Sequence, residues 1–303
     1  MTVRTVAVLG AGIMGRGIAY ASALGGFTTL LQDTSGEALE KAMAEISAIL
    51  ERGAATGKVP DHAAADAHRR LSGVRRLEEA TREADLVIEA VPEDIDLKVE
   101  IFSTVDRHAG PQAILASNTS SLSITEMAAA TQRPKQVVGM HFFNPVHRMK
   151  LLEVVRALET SDDTIATALM VGEKMGKEGV VVRESPGFVT SRINALIGNE
   201  AFYMLQEGVA NARDIDRALK LGLNHPMGPF ELVDLVGLDT RLAILRFLHG
   251  TLGEKFRPCP LIEQYVAAGR LGRKTGCGVY EYPENDRNQA GALDRAARAG
   301  GLP

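Results

Sequence analysis

One stretch decides the fold of this chain: Val3-Arg4-Thr5-Val6-Ala7-Val8-Leu9-Gly10-Ala11-Gly12-Ile13-Met14-Gly15, in which an apolar strand runs directly into three spaced glycines. A run of Val, Ala and Leu is typical of a parallel strand that is buried on both faces. In a dinucleotide-binding turn Gly10 makes the tight bend, Gly12 lets backbone N–H groups approach a pyrophosphate, and Gly15 lets the next helix pack on the strand. The residues expected to line the cofactor are therefore Gly10, Ala11, Gly12, Ile13, Met14 and Gly15.

The residues after the glycines supply the rest of this pattern. An amphipathic helix is predicted over 13–24, and a second strand over 28–31 leads to Asp33. Asp33 stands roughly 20 residues beyond the last glycine, where such units carry the acid that binds the adenosine ribose. Its carboxylate would repel a 2′-phosphate, so the sequence favours NAD over NADP. The alternative is a glycine-rich turn in an unrelated α/β unit.

Length and composition predict a soluble protein with two domains. The 303 residues can bury a large core, and 45% hydrophobic with 24% charged residues is ordinary for a globular protein. A net charge of −4 gives no reason to expect nucleic acid or an anionic membrane as a partner. The two cysteines, Cys259 and Cys277, favour a reducing compartment. No apolar run has membrane-spanning length and no targeting segment is recognised, so we expect a cytoplasmic protein, and no pattern indicates a metal site.

The order of the predicted elements divides the chain into two domains. Strand and helix signals alternate over 1–186, which predicts an α/β domain with a Rossmann-type, doubly wound, mostly parallel sheet of more than six strands. A helical stretch over 36–50 and a helix-like stretch near the end of 54–70 indicate a helical hairpin inserted into this domain. A smaller all-α domain is predicted over 187–283, and a loose tail over 284–303. The predicted helices of the second domain span 188–205, 212–221, 230–248 and 260–268.

Three polar groups stand in or after apolar strands in the second half of the sheet domain. Ser117-Asn118-Thr119-Ser120-Ser121 follows one strand directly, and ligands of open α/β sheets bind at such carboxyl ends. One of these five residues is expected to cap the next helix. His141 ends another strand; it can be a core residue, or the base that alcohol oxidation needs. Glu153 lies inside the apolar run 151–155, where a carboxylate is costly to bury unless it is paired, and a histidine is the partner that it would best stabilise and orient.

These motifs resemble those of the L-3-hydroxyacyl-CoA dehydrogenases, a family that includes the 3-hydroxybutyryl-CoA dehydrogenases. The resemblance covers nearly the whole chain. The matching motifs are the glycine turn, Glu89-Ala90-Val91-Pro92-Glu93, Ala116-Ser117-Asn118-Thr119-Ser120-Ser121, His141-Phe142-Phe143-Asn144-Pro145, Pro186-Gly187-Phe188-Val189, His225-Pro226-Met227-Gly228-Pro229-Phe230-Glu231-Leu232, and Lys274-Thr275-Gly276-Cys277-Gly278-Val279-Tyr280.

The resemblance implies NAD-dependent oxidation of an L-3-hydroxyacyl-CoA to the 3-ketoacyl-CoA, and the reverse reaction. It implies that His141 is the catalytic base, that Glu153 orients it, and that Ser120 binds the substrate oxygen at C3. The further cofactor contacts that it implies are Glu93, Lys98, Asn144 and Lys274. Arg52 and Lys58 are the candidates for binding the coenzyme A phosphates, although a solvated helix face explains both equally well.

The chain departs from the family at Ser191, which stands where the family has an asparagine that helps to hold the substrate. A serine hydroxyl still donates one hydrogen bond but reaches less far. An alternative substrate is therefore a free 3-hydroxy acid of the carnitine or gulonate type; a further alternative is a non-catalytic, crystallin-like NAD-binding protein. The family also implies a homodimer formed by the helical domain, whose first helix has apolar residues on more than one face; burial within that domain is the alternative.

Overall fold

The computed structural model describes residues 2–283, which divide into two compact units between Ser185 and Pro186. The first unit alternates strands and helices. Its elements are β1 Thr5–Leu9, α1 Ile13–Leu24, β2 Thr28–Gln32, α2 Gly36–Ala55, α3 Asp61–Arg70, β3 Leu71–Val74, α4 Leu77–Thr81, β4 Leu86–Glu89, α5 Ile95–His108, β5 Ile114–Ser117, α6 Ile124–Ala129, β6 Val137–Phe142, β7 Leu151–Arg156, α7 Asp162–Lys174 and β8 Glu178–Arg183.

The strands form one eight-stranded sheet in the order β3-β2-β1-β4-β5-β6-β7-β8. Each neighbouring pair is parallel except β6 and β7, which are antiparallel. The predicted Rossmann-type, mostly parallel architecture is confirmed, and α2 and α3 form the predicted helical hairpin between β2 and β3. Strand order reverses direction between β1 and β4. In open α/β sheets a ligand crevice forms at such a reversal, outside the carboxyl ends of the strands.

The core of the first unit follows from the apolar runs in its central strands. Val6 and Val8 of β1 and Ile88 of β4 are fully buried, and Ile18 of α1 and Ile46 of α2 pack in the same cluster. Burying each such side chain contributes about 1.5–3 kcal/mol to folding. Four helices of this unit, α2, α5, α6 and α7, begin at a side-chain cap, which is Ser35, Asp94, Ser123 and Ser161 respectively. The rigid sheet therefore holds the loops at its carboxyl edge in place.

The second unit is helical. Its helices are α8 Thr190–Gln206, α9 Ala212–Gly222, α10 Pro229–Val236, α11 Leu238–Leu252 and α12 Pro260–Ala267. One predicted helix, over 230–248, is wrong: the chain breaks at Gly237, whose φ of 105° is left-handed backbone that favours glycine. The residues predicted as a loose tail, 284–303, lie outside the described part of the chain.

Two buried aspartates join the helices of the second unit to the loop that follows them. Asp234 accepts hydrogen bonds from the N–H groups of Val279 (2.8 Å) and Tyr280 (2.9 Å), and Asp216 accepts one from the hydroxyl of Tyr280 (2.8 Å). Burial raises the pKa of both carboxyls, while these hydrogen bonds act in the opposite direction. The loop that carries the Lys274 motif is thus fixed to α9 and α10.

Candidate active site

The glycine turn between β1 and α1 is built as the spacing predicts. Gly10 has a φ of 97°, and a Cβ there would lie 2.7 Å from the carbonyl oxygen of Ala90. A Cβ on Gly15 would overlap the carbonyl oxygen of Gly10. At Gly12, by contrast, no described atom lies within 4 Å of the position that a Cβ would take. The turn is therefore packed on the protein side and open at Gly12, in front of the first N–H groups of α1, where a pyrophosphate fits.

Asp33 lies beside this turn at the end of β2. Its Oδ2 accepts a hydrogen bond from the N–H of Ala11 (2.8 Å), and its Oδ1 accepts one from the N–H of Ser35 (2.9 Å). The N–H of Gly10 donates to the carbonyl oxygen of Gln32 (2.7 Å), which ties the two strand ends together. Each carboxylate oxygen keeps a second lone pair for a ribose hydroxyl. The chemistry of this donor and acceptor set fits NAD.

A buried ion pair lies at the end of β4, next to the glycine turn. The Nζ of Lys98 is 2.6 Å from Oε1 of Glu89, and both side chains are only 1% exposed. The hydroxyl of Ser117, at the end of β5, donates to Oε2 of Glu89 (2.6 Å). Glu89 was not predicted as a site residue. The signal that could have found it is a carboxylate that closes the apolar strand 86–89, directly before a polar loop.

Glu93 connects this ion pair to the serine-rich turn after β5. Its Oε2 lies 3.3 Å from the Nζ of Lys98, and its Oε1 accepts hydrogen bonds from the Thr119 hydroxyl, the Ser120 N–H (3.1 Å) and the Ser121 hydroxyl (3.3 Å). The expectation that one of residues 117–121 caps the next helix is wrong, because the cap of α6 is Ser123. None of these five polar residues is needed to cap α6, so they can line the crevice or form the hydrogen bonds that support it.

His141 and Glu153 face each other across the antiparallel pair β6–β7. The register places them directly opposite, and Nδ1 of His141 is 2.8 Å from Oε2 of Glu153. The side chains are 9% and 1% exposed. Because the carboxylate engages Nδ1, Nε2 is the ring nitrogen that can exchange a proton with a substrate hydroxyl. The Asn118 side-chain oxygen accepts from the N–H of Phe142 (2.9 Å), which joins this strand end to the serine turn.

The other predicted site residues are spread over both units. Asn144 is exposed in the loop after β6, and Arg52 and Lys58 are exposed at the end of α2 and just beyond it. Ser191 is half-buried in the first turn of α8. The Nζ of Lys274 lies 2.7 Å from Oδ2 of Asp239, within the second unit. The roles expected for these five residues stay predictions.

The glycine turn, the acid beside it and the buried histidine–carboxylate pair together define an NAD-dependent oxidoreductase that acts on an alcohol. Among residues 2–283 no group of three or more His, Cys, Asp or Glu side chains is placed to hold a metal. Within the same residues, no helix is long and apolar enough to cross a membrane.

Comparison with known proteins gives the family. The model of the 3-hydroxyacyl-CoA dehydrogenase NAD-binding domain matches residues 5–185, and that of the C-terminal domain matches residues 187–282. A Bacillus subtilis (strain 168) protein named "Probable 3-hydroxybutyryl-CoA dehydrogenase" is 48% identical over 285 residues, 94% of this chain and 99% of that protein. The 3-hydroxybutyryl-CoA dehydrogenase of Bradyrhizobium diazoefficiens is 44% identical over 281 residues, 92% of this chain and 96% of that protein.

A solved structure supports the same family. The crystal structure of (S)-3-hydroxybutyryl-CoA dehydrogenase from Ralstonia eutropha matches with a TM-score of 0.90 and 44% identity, and the match covers 93% of this chain and 100% of that one. The chain belongs to the 3-hydroxyacyl-CoA dehydrogenase family, and its cofactor is NAD.

The different surroundings of Gly12 and Gly15 generate a paired prediction. Gly12→Ala places its methyl group in open space, so we expect an unchanged melting temperature and roughly tenfold weaker NADH binding, because the methyl group occupies the approach to the pyrophosphate. Gly15→Ala forces α1 away from the turn, so the melting temperature falls as well. Thermal unfolding and NADH fluorescence titration measure both; equal melting temperatures for the two variants would contradict this account.

Proposed function

We propose that this protein oxidises L-3-hydroxyacyl-CoA thioesters, such as 3-hydroxybutyryl-CoA, to 3-ketoacyl-CoA with NAD, and catalyses the reverse reaction. The observation that carries the proposal is the His141–Glu153 pair, held at 2.8 Å in the sheet that also carries the glycine turn. The names of the relatives at 44–48% identity support the CoA thioester over a free 3-hydroxy acid. An intact pair of this kind also argues against a non-catalytic, crystallin-like protein.

The protein's part in the reaction is proton transfer and positioning. Bound NAD would supply the hydride acceptor for C3, and Nε2 of His141 would take the proton of the C3 hydroxyl. The Glu153 carboxylate stabilises the imidazolium that forms, since it is buried against Nδ1. In the reductive direction the imidazolium returns the proton to the C3 oxygen.

Three further polar residues are proposed to hold the reactants. Ser120 is half-buried in the turn that Glu93 braces, and its hydroxyl is proposed to donate to the C3 oxygen. The exposed side chain of Asn144, three residues after His141, is proposed to contact the nicotinamide part of the cofactor. Glu93, with its side chain 40% exposed, is proposed to accept from the nicotinamide ribose.

A basic neighbourhood in the first unit supports binding of the coenzyme A phosphates. Burial and four nearby cations lower the pKa of His147, whose ring packs edge-on against Tyr20 at 6.2 Å. Those cations are Arg148, Lys177, Arg52 and Arg16. Cations grouped around one side chain create a positive potential that favours binding of an anion. Arg52 belongs to this neighbourhood, so we propose that it binds a CoA phosphate.

We also propose a cytoplasmic homodimer that acts in fatty acid metabolism, in β-oxidation or its reverse. Val189 and Ile193, at the start of α8, are 53% and 54% exposed, which supports a contact with a second copy through this helix. Ser191 is proposed to contribute to substrate binding and Lys274 to cofactor binding.

The activity itself is tested with acetoacetyl-CoA and NADH. We expect NADH oxidation by the pure protein, and much slower turnover of free acetoacetate. No oxidation with the thioester would contradict the proposed function, and faster turnover of the free acid would favour the carnitine- or gulonate-type alternative.

Variants of the buried pair test the assigned roles. His141→Ala removes the base and is expected to lower kcat by about 10²–10⁴-fold, while Glu153→Gln keeps the shape but removes the charge and is expected to lower kcat by about 10²-fold or more. The Kd for NADH should stay close to the wild-type value in both, because neither side chain is assigned to the cofactor. Normal turnover by His141→Ala would exclude it as the base.

Charge reversal on the hairpin separates the two candidates for the CoA phosphates. Arg52→Glu is expected to raise the KM for acetoacetyl-CoA roughly tenfold or more with little change in kcat, as expected for the loss of a charge-assisted contact. Lys58→Glu is the matched control outside the basic neighbourhood and should change KM less. With acetoacetyl-pantetheine, which lacks the adenosine phosphates, both variants should match the wild type. A larger effect of Lys58→Glu would transfer the role to that residue.

A further inference from the structure

Glu89 is a buried charge that the proposed reaction does not use. It ends β4, where the register pairs it with Leu9 of β1 on one side and Ser117 of β5 on the other. It therefore lies at the reversal of strand order, between the glycine turn and the serine turn. Its side chain is 1% exposed, so its charge has to be compensated within the protein.

The compensation comes from three donors. Oε1 of Glu89 accepts from the Nζ of Lys98 (2.6 Å) and from the N–H of Val91 (2.7 Å), and Oε2 accepts from the hydroxyl of Ser117 (2.6 Å). Three donors, one of them an ammonium group, satisfy this carboxylate without solvent. An ion pair so deeply buried gains little stability over an apolar pair of the same volume. What the pair provides is a fixed geometry.

Lys98 connects Glu89 to Glu93. Three acceptors surround its Nζ: Oε1 of Glu89 at 2.6 Å, Oε2 of Glu93 at 3.3 Å and the carbonyl oxygen of Val91 at 3.5 Å. The contacts with Glu89 and Val91 are hydrogen bonds, and the contact with Glu93 is an ion pair. With 1% exposure Lys98 lies beneath the crevice, and Glu93 is the member of the network that reaches its surface.

We propose that Glu89 is a positioning residue for NAD: it fixes Lys98, and through Lys98 it fixes Glu93 and the turn that presents Ser120. The inference rests on the proposed function for the role of Ser120, but its effect on the cofactor is independent of the substrate. Lys98 is buried beneath Glu93, so it influences the cofactor through Glu93. Without the Glu89 charge, the Lys98 ammonium group moves toward Glu93. The Glu93 carboxylate, which is the proposed acceptor for the cofactor, then changes its position or charge balance.

A matched pair of variants tests this role. Glu89→Gln is compared with Asp106→Asn, which removes a carboxylate charge from another partly buried ion pair of the first unit, Asp106–Arg133 at 2.6 Å. Asp106 lies in α5, which leads into the amino end of β5, away from the crevice. We expect Glu89→Gln to raise the Kd for NADH at least about tenfold and Asp106→Asn to leave it within about twofold, although both lower the melting temperature.

A double-variant cycle tests whether Glu89 acts through Lys98. In a Lys98→Met background, Glu89→Gln should change the Kd for NADH by less than about twofold, since the residue that it positions is gone. Where Glu89→Gln does not fold, Ser117→Ala replaces it, with an expected rise of a few fold in Kd. A wild-type Kd for the variant used, or additive effects of the two changes, would overturn the proposal. These are binding measurements, so they decide it even if acetoacetyl-CoA is not turned over.

Discussion

Burial of charge at the carboxyl edge of the sheet is the constraint on which the site depends. Glu89, Lys98, His141 and Glu153 are all buried there, and each of these groups has a partner within 2.8 Å. An unpaired charge in such a position costs several kcal/mol, so each pair restricts where its strand or helix can lie. The pairs that the fold must satisfy therefore also fix the geometry of the candidate site.

The antiparallel pairing of β6 and β7 supplies one of these partners. The antiparallel register places His141 directly opposite Glu153. The hydrogen bond from Phe142 N–H to Asn118 then joins the histidine strand to the serine turn, and Glu93 joins the serine turn to Lys98. The histidine strand, the serine turn and Lys98 are thus parts of one network of hydrogen bonds and ion pairs.

The family comparison and the geometry support different parts of the function. The relatives support the NAD cofactor and the thioester substrate class. The structure supports the proposed proton transfer to His141, because Glu153 contacts the ring of this histidine. The basic neighbourhood of His147 links the two, because its members lie on α1, on α2 and in the loops that follow the histidine strand and α7. Its cations would meet a phosphorylated substrate on the first unit.

The sequence by itself determined the glycine turn, the preference for NAD and the polar strand ends, because each depends on neighbouring residues and on strand and helix periodicity. It also indicated that Glu153 needs a partner. The family resemblance implied that this partner is His141. Only the tertiary structure decided that the two side chains meet at 2.8 Å across β6 and β7, that Lys98 lies beneath Glu93, and that the helix predicted over 230–248 breaks at Gly237. Register between strands distant in sequence, and the depth of a side chain below a crevice, are set by packing of the whole sheet, and no local pattern records them.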